Sequence, residues 1–134
     1  MQSILADAGP LIALFLQKDA YHQRAMAFAK NCRARLLTTC AVVTEVCHFL
    51  NAAGKQKFLT FIKRGGVEVR TMSTDDLDAI IALIGKYADQ DMDFADASLV
   101  WLANQTGISD IITIDRKDFA IYHTDKGKPF RNCF

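Results

Sequence analysis

The sequence lacks any apolar run long enough to cross a membrane. Its longest nearly apolar stretch, Ile4–Leu16, is interrupted by Asp7, Gly9 and Pro10, whereas a membrane-spanning helix needs about 18 or more apolar residues. The N-terminus also lacks the basic region and the small-residue cleavage site of a secretory signal peptide. We therefore expect a cytoplasmic protein in which residues 1–134 form a single domain.

Cysteine pairs at metal-binding or redox spacing are also missing. The sequence has four cysteines and no close Cys-x-x-Cys pattern: Cys32, Cys40, Cys47 and Cys133. In a chain without a leader, such cysteines are expected to be buried thiols rather than disulfides or zinc ligands. The formal net charge of +1 argues against a generally basic nucleic-acid-binding surface but does not exclude local basic patches.

Glutamate is scarce, and this shortage changes how the acidic residues are interpreted. Thirteen of the fifteen acidic residues are Asp, and only Glu45 and Glu68 are Glu. Solvated helix faces usually contain Glu, a good helix former, whereas Asp favours caps, turns and metal sites. Part of the acid set is therefore expected to serve specific positions rather than to cover exposed helices.

Apolar segments of strand and helix character alternate along the chain. The predicted strands are Ser3–Asp7, Arg35–Thr39, Val67–Arg70, Asp110–Asp115 and a short final strand beginning at Ile121. Helices are predicted between them, including one that ends at Gly54 and one that begins within Ser73–Asp76. This alternation predicts an α/β fold, a three-layer α/β/α domain with a central, mostly parallel sheet of four to five strands.

Acidic residues mark the ends of two of these strands. Asp7 and Asp115 each end a strand, and Glu45 lies on the helix that follows Arg35–Thr39. Parallel α/β sheets bind ligands outside the carboxyl ends of their strands, at a topological switch point. If the strands are parallel, Asp7 and Asp115 lie at one edge of the sheet with Glu45 nearby.

The helix predicted for Met92–Gln105 carries an acid where its core face should be. At about 100° per residue, Asp96 falls between Leu99 and Val100 in the apolar sector. Ser98 marks the polar sector. Because burying an isolated carboxylate is costly, Asp96 needs either a charged partner, such as an Arg, or a site onto which the helix opens.

Each acid also has a structural interpretation when it is considered alone. Asp7, Asp93 and Asp115 could cap helices or turns, and capping is the favoured role of Asp93. Glu45 could be a partly exposed residue at the margin of its helix, and Asp118 a solvated acid or a cap. Together, however, the acids would meet at one sheet edge, where carboxylate oxygens suit Mg²⁺ or Mn²⁺ and phosphodiester cleavage. We favour this joint interpretation.

Four segments, in order along the chain, match one protein family. They are LADAGPLIALF, TTCAVVTEVCHFL, MDFADASLVWLA and TIDRKDFAIY. The first is similar to the family's opening strand, acid and short helix, and the second to a small polar stretch leading to a helical Glu. The third has an Asp before a small residue and an apolar helix, and the fourth a Thr-x-Asp followed closely by Phe. The chain thus resembles PIN-domain ribonucleases, particularly VapC-type toxins of toxin–antitoxin pairs.

The resemblance implies a Mg²⁺- or Mn²⁺-dependent endoribonuclease in which carboxylate-held metal activates a water to hydrolyse RNA. By position, it implies four catalytic and metal-binding acids: Asp7, Glu45, Asp96 and Asp115. It also implies Asp93 as a further metal ligand. Asp118 and Thr113 are implied as supporting residues near the metal. It also implies two protein contacts, a small VapB-like antitoxin and a homodimer of the nuclease.

Two alternatives stay open from the sequence. One is a non-catalytic α/β interaction module, such as a phosphoacceptor receiver domain, although Lys117 lies in the wrong local context for that class. The other is a metal-dependent DNA nuclease of the same architecture, because no residue that reads the 2′-hydroxyl can be named. Basic residues near the C-terminus either contact phosphates beside Asp115 or form a solvated tail: Arg116, Lys117, Lys126, Lys128 and Arg131.

Overall fold

The computed structural model describes residues 2–134 and has a five-stranded sheet at its centre. The strands are β1 (Ser3–Ala6), β2 (Arg35–Thr39), β3 (Glu68–Arg70), β4 (Asp110–Ile112) and β5 (Arg131–Asn132). Their order in the sheet is β3-β2-β1-β4-β5, and every neighbouring pair is parallel. The predicted α/β fold with a parallel sheet of four to five strands is therefore confirmed.

Helices connect the strands and flank the sheet. They are α1 (Ala8–Phe15), α2 (His22–Asn31), α3 (Cys40–His48), α4 (Ala52–Lys63), α5 (Leu77–Lys86), α6 (Phe94–Thr106) and α7 (Arg116–Ile121). Short 3₁₀ turns at Thr74–Asp76 and Ala88–Gln90 precede α5 and α6. Within residues 2–134, none of the helices combines the length and the apolar character that a membrane crossing requires.

Side-chain caps explain where α3 and α6 begin. The Thr39 hydroxyl accepts a hydrogen bond from the N–H of Val42, so α3 starts directly at the end of β2. The Asp93 carboxylate accepts one from the N–H of Asp96 at the start of α6, as predicted. Gly107 ends α6 at a φ of 76°, a left-handed conformation that glycine adopts without steric cost.

Several predicted boundaries are wrong. Strand β1 ends at Ala6 and β4 at Ile112, so Asp7 and Asp115 follow these strands instead of ending them. Gly54 does not end a helix, because α3 stops at His48 and the Asn51 side chain starts α4 by accepting a hydrogen bond from the N–H of Gly54. No strand begins at Ile121, which ends α7 instead, and the final strand is β5. The cap that Asp115 supplies to α7 commits this segment to a helix.

Helix α6 runs through the core instead of having one polar side. The residues from Asp96 to Ala103 are all buried, including Ser98, which the helical pattern had placed on the polar side. Ser98 Oγ lies 2.7 Å from Thr39 Oγ1 and donates to the carbonyl of Ala95 at 2.6 Å. A helix that is buried all round can accept a polar residue on any side if its hydrogen bonds are made.

The cysteines are less buried than predicted. Cys40 is the first residue of α3 and is exposed, while Cys32, Cys47 and Cys133 are partly buried. All four are free thiols. The prediction of buried thiols is therefore wrong for Cys40, because the first turn of α3 faces solvent at this position.

The order of the strands creates one switch point. Strands β2 and β3 lie on one side of β1, and β4 and β5 lie on the other. The crossovers therefore diverge between β1 and β4, where open α/β sheets form a ligand crevice. We call the edge that contains the last residues of the first four strands the carboxyl edge: Ala6, Thr39, Arg70 and Ile112. The opposite edge, at their first residues, is the amino edge.

Candidate active site

Asp7 lies immediately after β1, beside the switch point. It is 7% exposed, and its carboxylate accepts hydrogen bonds from the Thr113 hydroxyl at 2.7 Å and from the N–H of Ala8 at 2.8 Å. The N–H of Asp7 donates to the carbonyl of Ile112 at 3.0 Å. Asp7 therefore caps α1, as its structural interpretation predicted, and is also held against the segment that follows β4.

Thr113 connects the two acids that follow β1 and β4. Its buried hydroxyl donates to Asp7 and accepts a hydrogen bond from the N–H of Asp115 at 2.9 Å. The Asp115 carboxylate then accepts one from the N–H of Asp118 at 3.2 Å and caps α7. The turn after β4 thus brings Asp115 towards Asp7 and sets Asp118 beside Asp115.

Asp96 reaches the same edge from the first turn of α6. It is 9% exposed, and its Oδ2 accepts a hydrogen bond from the buried Tyr122 hydroxyl at 3.0 Å. The rings of Tyr87 and Phe119 pack edge-on against Tyr122, with ring centroids 4.9 and 5.1 Å away. The position of the hydroxyl is therefore fixed by packing, and the second carboxylate oxygen of Asp96 is left for another ligand.

Carboxylates from the starts of α6 and α7 lie close together at this edge. One oxygen atom from each of Asp96, Asp115 and Asp118 lies within 4.8 Å of the other two. A cation with oxygen ligands at about 2.0–2.6 Å can bridge oxygens at such separations. We refer to these three acids, together with Asp7, as the acid cluster.

Glu45 and Asp93 lie at the periphery of the acid cluster. Partial burial, followed by the negative charges of Asp7 and Asp93, raises the pKa of Glu45 on α3. Asp93 is exposed and uses its carboxylate to cap α6. The predicted capping role of Asp93 is confirmed, and its role as a metal ligand stays a prediction.

Within residues 2–134, no basic side chain forms a salt bridge with the acid cluster. The salt bridges found there join Arg35 and Arg70 to Glu68, and Arg131 to Asp110. The arginine partner that could have explained the buried Asp96 is therefore absent from this part of the chain. Unpaired carboxylates at low exposure cost stability until a proton or a cation neutralises them.

The pKa values of the buried acids reflect this cost. Burial, followed by the negative charges of Asp7 and Asp93, raises the pKa of Asp96 to about 8. Burial also raises the pKa of Asp7, although its hydrogen bonds from Thr113 and Ala8 act in the opposite direction. The buried acids therefore hold protons more tightly than ordinary carboxylates.

The donor set fits a hard divalent cation. All its ligating atoms are carboxylate oxygens, which Mg²⁺ and Mn²⁺ prefer over nitrogen or sulfur. Asp7 and Asp96 are each oriented by a neutral hydroxyl, from Thr113 and Tyr122, an arrangement that fixes ligands without neutralising them. A divalent ion held there would offset the cost of burying these carboxylates and the repulsion between them, the two causes that raise the pKa values of Asp7 and Asp96.

Two members of this arrangement were missed or undervalued from the sequence. Asp118 was interpreted as a solvated acid, a cap or a helper, yet it belongs to the closest group of carboxylates. Its spacing of three from Asp115 on a helix was an available signal. Tyr122, which the sequence predicted in a strand, follows α7. No local sequence pattern connects it to Asp96 in α6.

The basic residues near the C-terminus separate into two groups. Arg131 donates two hydrogen bonds to Asp110, at 2.9 and 3.0 Å, so the prediction that it lies beside Asp115 is wrong. The reason is that β5 pairs in parallel with the start of β4, which places Arg131 at the amino edge. Arg116 and Lys117, by contrast, directly follow Asp115 at the start of α7 and are exposed.

A parallel α/β domain with unpaired acids at its switch point belongs to the architectural class that the motifs predicted. The PIN domain family model matches residues 4–126, and the chain belongs to this family. Its fold is similar to the crystal structure of Mycobacterium tuberculosis VapC20, described as a sarcin-ricin loop cleaving toxin. That similarity has a TM-score of 0.78 at 19% sequence identity, covering 85% of this chain and 91% of VapC20. No curated protein matches the chain significantly.

Proposed function

We propose that this chain is an endoribonuclease that depends on Mg²⁺ or Mn²⁺ and hydrolyses RNA phosphodiester bonds. The acid cluster carries the proposal, because its carboxylates converge at the switch point without a basic partner within residues 2–134. Membership of the PIN-domain family supports a nuclease. The proposed catalytic acids are those predicted from the sequence: Asp7, Glu45, Asp96 and Asp115. Asp118 and, at the periphery, Asp93 are proposed as further metal ligands.

The side chains have different proposed tasks. A bound Mg²⁺ or Mn²⁺ lowers the pKa of water and offsets the charge that develops on the phosphate. Asp7 and Asp96 would hold this ion through carboxylates that Thr113 and Tyr122 keep in place. Asp115 and Asp118, which are more exposed, would complete the set of ligands. Glu45 is half-buried outside this group and is available to orient water or substrate.

Positive charge beside the acids supports a phosphate-containing substrate. Arg116 and Lys117 are exposed and follow Asp115 without interruption. Basic side chains next to a cluster of acids can attract the polyanion and position its backbone. We therefore assign contacts with RNA phosphates to these two residues rather than to Arg131, which is paired with Asp110.

We further propose that the nuclease is a toxin controlled by a small VapB-like antitoxin. The motif resemblance supports this, and VapC20, whose fold is similar, is described as a toxin. Under this proposal the protein acts in the cytoplasm and forms a homodimer. The proposal predicts that expression of the chain alone slows growth and that expression of its antitoxin restores it.

Cleavage assays on two polymers test the enzymatic proposal. Purified protein is incubated with labelled single-stranded RNA or DNA of matching sequence, with Mg²⁺, with Mn²⁺ or with EDTA. We expect cleavage of RNA that EDTA abolishes and that added Mn²⁺ restores. Equal or preferential cleavage of DNA would instead support the DNA nuclease alternative, and no cleavage of either polymer would support a non-catalytic module.

Two variants show whether any activity comes from the acid cluster. Asp7→Asn and Asp96→Asn, made separately, each remove a proposed metal ligand and are expected to lose RNA cleavage. Asp110→Asn is the matched control. It makes the same substitution at the amino edge, away from the proposed metal ligands. Full metal-dependent cleavage by either of the first two variants would show that the assigned site is wrong.

A further inference from the structure

A surface groove lies beside the acid cluster at the same edge of the sheet. It has a volume of about 320 Å³ and is lined mainly by Thr39, Cys40, Thr44, Arg70, Met72 and Phe94. Thr39 and Arg70 end β2 and β3, Cys40 and Thr44 belong to the first half of α3, and Phe94 begins α6. The groove is therefore at the carboxyl edge, next to the switch point on its β2–β3 side.

Two helices that line the groove, α3 and α6, also carry acids of the proposed site. On α3, Thr44 immediately precedes Glu45, whose pKa is raised partly by the charge of Asp7. On α6, Phe94 directly follows Asp93 and lies two residues before Asp96. The groove is therefore the surface next to the acid cluster on the β2–β3 side of the carboxyl edge.

Phe94 presents an aromatic surface to this groove. The side chain is 47% exposed, and it takes part in none of the aromatic ring pairs found within residues 2–134. Single exposed apolar residues are common, so the exposure matters only because of its location. An aromatic ring beside a phosphate-binding site is the usual platform on which proteins stack an unpaired base.

The opposite side of the groove supplies a cation. Arg70 is partly buried at the end of β3, and its guanidinium lies 3.4 Å from Glu68, an exposed residue of the same strand. Such an exposed pair is weak, which leaves the guanidinium able to interact with an additional anion. Guanidinium groups suit phosphate oxygens through their planar arrangement of donors.

We propose that this groove binds an unpaired nucleotide of the RNA next to the cleaved bond, with its base stacked on Phe94 and its phosphate contacted by Arg70. The inference rests on the proposed function and assigns contacts with the nucleotide beside the cleaved bond to side chains outside the acid cluster. A base within a duplex is already stacked on both faces, so it cannot cover Phe94 without being unpaired.

Binding measurements on substitutions at exposed phenylalanines test the inference. Phe94→Ala and Phe94→Trp are compared with Phe49→Ala, a control at a residue that is 56% exposed at the far end of α3. The affinity for fluorescein-labelled single-stranded RNA is measured by anisotropy with Ca²⁺ in place of Mn²⁺, and KM and kcat are measured with Mn²⁺. We expect Phe94→Ala to weaken RNA binding and raise KM by about 5- to 150-fold, the range for loss of one stacked base. Phe94→Trp retains a stacking ring and should keep most of the affinity that Phe94→Ala loses, whereas Phe49→Ala should change neither quantity.

An abasic substitution in the RNA identifies the base that stacks. A single abasic nucleotide is moved along the oligonucleotide, and wild-type binding is expected to weaken at one position next to the mapped cleavage site. At that position Phe94→Ala should cause no additional loss, because the same contact has already been removed. Additive losses would contradict direct stacking.

The outcomes separate this inference from the proposed function. Wild-type protein that binds RNA through Phe94 but cleaves no RNA would contradict the endoribonuclease proposal and leave the groove assignment standing. Wild-type protein that cleaves RNA, with unchanged KM in Phe94→Ala, would overturn the groove assignment alone. If Phe94→Ala changes the sedimentation coefficient together with RNA affinity, Phe94 belongs to a protein interface and the inference is wrong. We also expect the Mn²⁺ affinity of Phe94→Ala to equal that of the wild-type protein.

Discussion

The two edges of the sheet place aspartate in opposite environments. At the amino edge, Asp110 accepts two hydrogen bonds from Arg131 and one from Gln2, and the Arg131 contacts above all lower the pKa of its carboxyl. At the carboxyl edge, the Oδ2 of Asp96 accepts its hydrogen bond from the neutral Tyr122 hydroxyl. Burial and neighbouring acids raise the pKa of Asp96 to about 8. The carboxyl pKa values of these two aspartates therefore differ because their surroundings differ.

This difference distinguishes a stabilising acid from a functional one. The Asp110 pair joins β4 to β5 and is complete within the protein. The acid cluster concentrates negative charge that the protein does not neutralise, and such charge is costly where water is scarce. We infer that the amino edge contributes to folding, whereas the carboxyl edge gives up stability in exchange for a cation site.

The largest expected effect follows from removing the charge of Asp96. Asp96→Asn keeps an acceptor for the Tyr122 hydroxyl but loses a metal ligand, so kcat/KM on RNA should fall by at least about 100-fold. In EDTA at pH 8, the same variant should melt at a higher temperature than wild type, because it removes the cost of burying a charge and then the repulsion with Asp7 and Asp93. Cleavage assays and thermal melting measure the two effects. A variant that is both less active and less stable would show that Asp96 is mainly structural.

A smaller effect is expected at the residue that orients Asp96. Tyr122→Phe keeps the ring between Tyr87 and Phe119 but removes the hydrogen bond, so Mn²⁺ affinity should fall by about 10- to 100-fold. Calorimetric titration with Mn²⁺ measures the affinity without a substrate.

Tyr87→Phe is a matched control for this prediction. It also removes one hydroxyl from the same aromatic group, but that hydroxyl accepts from the N–H of His123 and does not contact an acid. Tyr87→Phe should lower thermal stability slightly and leave Mn²⁺ affinity unchanged. Equal losses of affinity in both variants would show that packing, and not the hydrogen bond to Asp96, is responsible.

The raised pKa of Asp96 predicts opposite pH dependences for stability and for metal binding. Between about pH 4 and 8 the unfolded chain loses this proton while the folded protein keeps it, so the free energy of unfolding of the metal-free protein should fall as pH rises. Mn²⁺ displaces the same proton, so its affinity should rise by up to about tenfold per pH unit and level off above pH 8.

Melting and Mn²⁺ titration across this range check both trends. In the Asp96→Asn protein, the decrease in melting temperature with pH should be shallower than in wild type when EDTA is present. Mn²⁺ affinity that does not change between pH 6 and 8 would argue that the acids are already ionised in the folded protein.

The smallest effect is expected at the amino edge. Asp110→Asn removes an ion pair that is largely exposed at Arg131, and exposed pairs contribute little to stability. Its melting temperature should fall by a few degrees at most, with kcat/KM on RNA and Mn²⁺ affinity unchanged. A clear loss of cleavage in this variant would show that the two edges are coupled.

Strands and their carboxyl-end acids could be predicted because their signals are local. Arg35–Thr39 forms β2 at the predicted bounds, and Ser3–Ala6 forms β1 directly before Asp7. A short apolar run that ends in an acid, followed by a helix, is visible within a few residues. The last strand was misplaced because Asp115 caps a helix over Arg116–Ile121, so Ile121 ends a helix instead of beginning a strand.

Part of the candidate site also followed from the sequence. Asp96 stood out because an acid interrupted an apolar helix face, and the structure places it among buried residues. The partner that orients it could not be inferred, since Tyr122 follows α7, far from α6 in sequence, and meets Asp96 only through folding. Ser98 was misinterpreted for the same reason, because its partner is Thr39 at the end of β2.

By itself, the sequence determined the parallel α/β class, the family and the acids that follow β1 and β4, because periodicity, caps and motifs are properties of neighbouring residues. Tertiary structure decided which acids are paired and which are not. Asp110 meets Arg131 and Asp96 meets Tyr122 only after strands and helices distant in the chain are brought together. The pKa of a carboxyl depends on its burial and on the charges within a few ångströms, so the contrast between the two edges exists only in the folded protein.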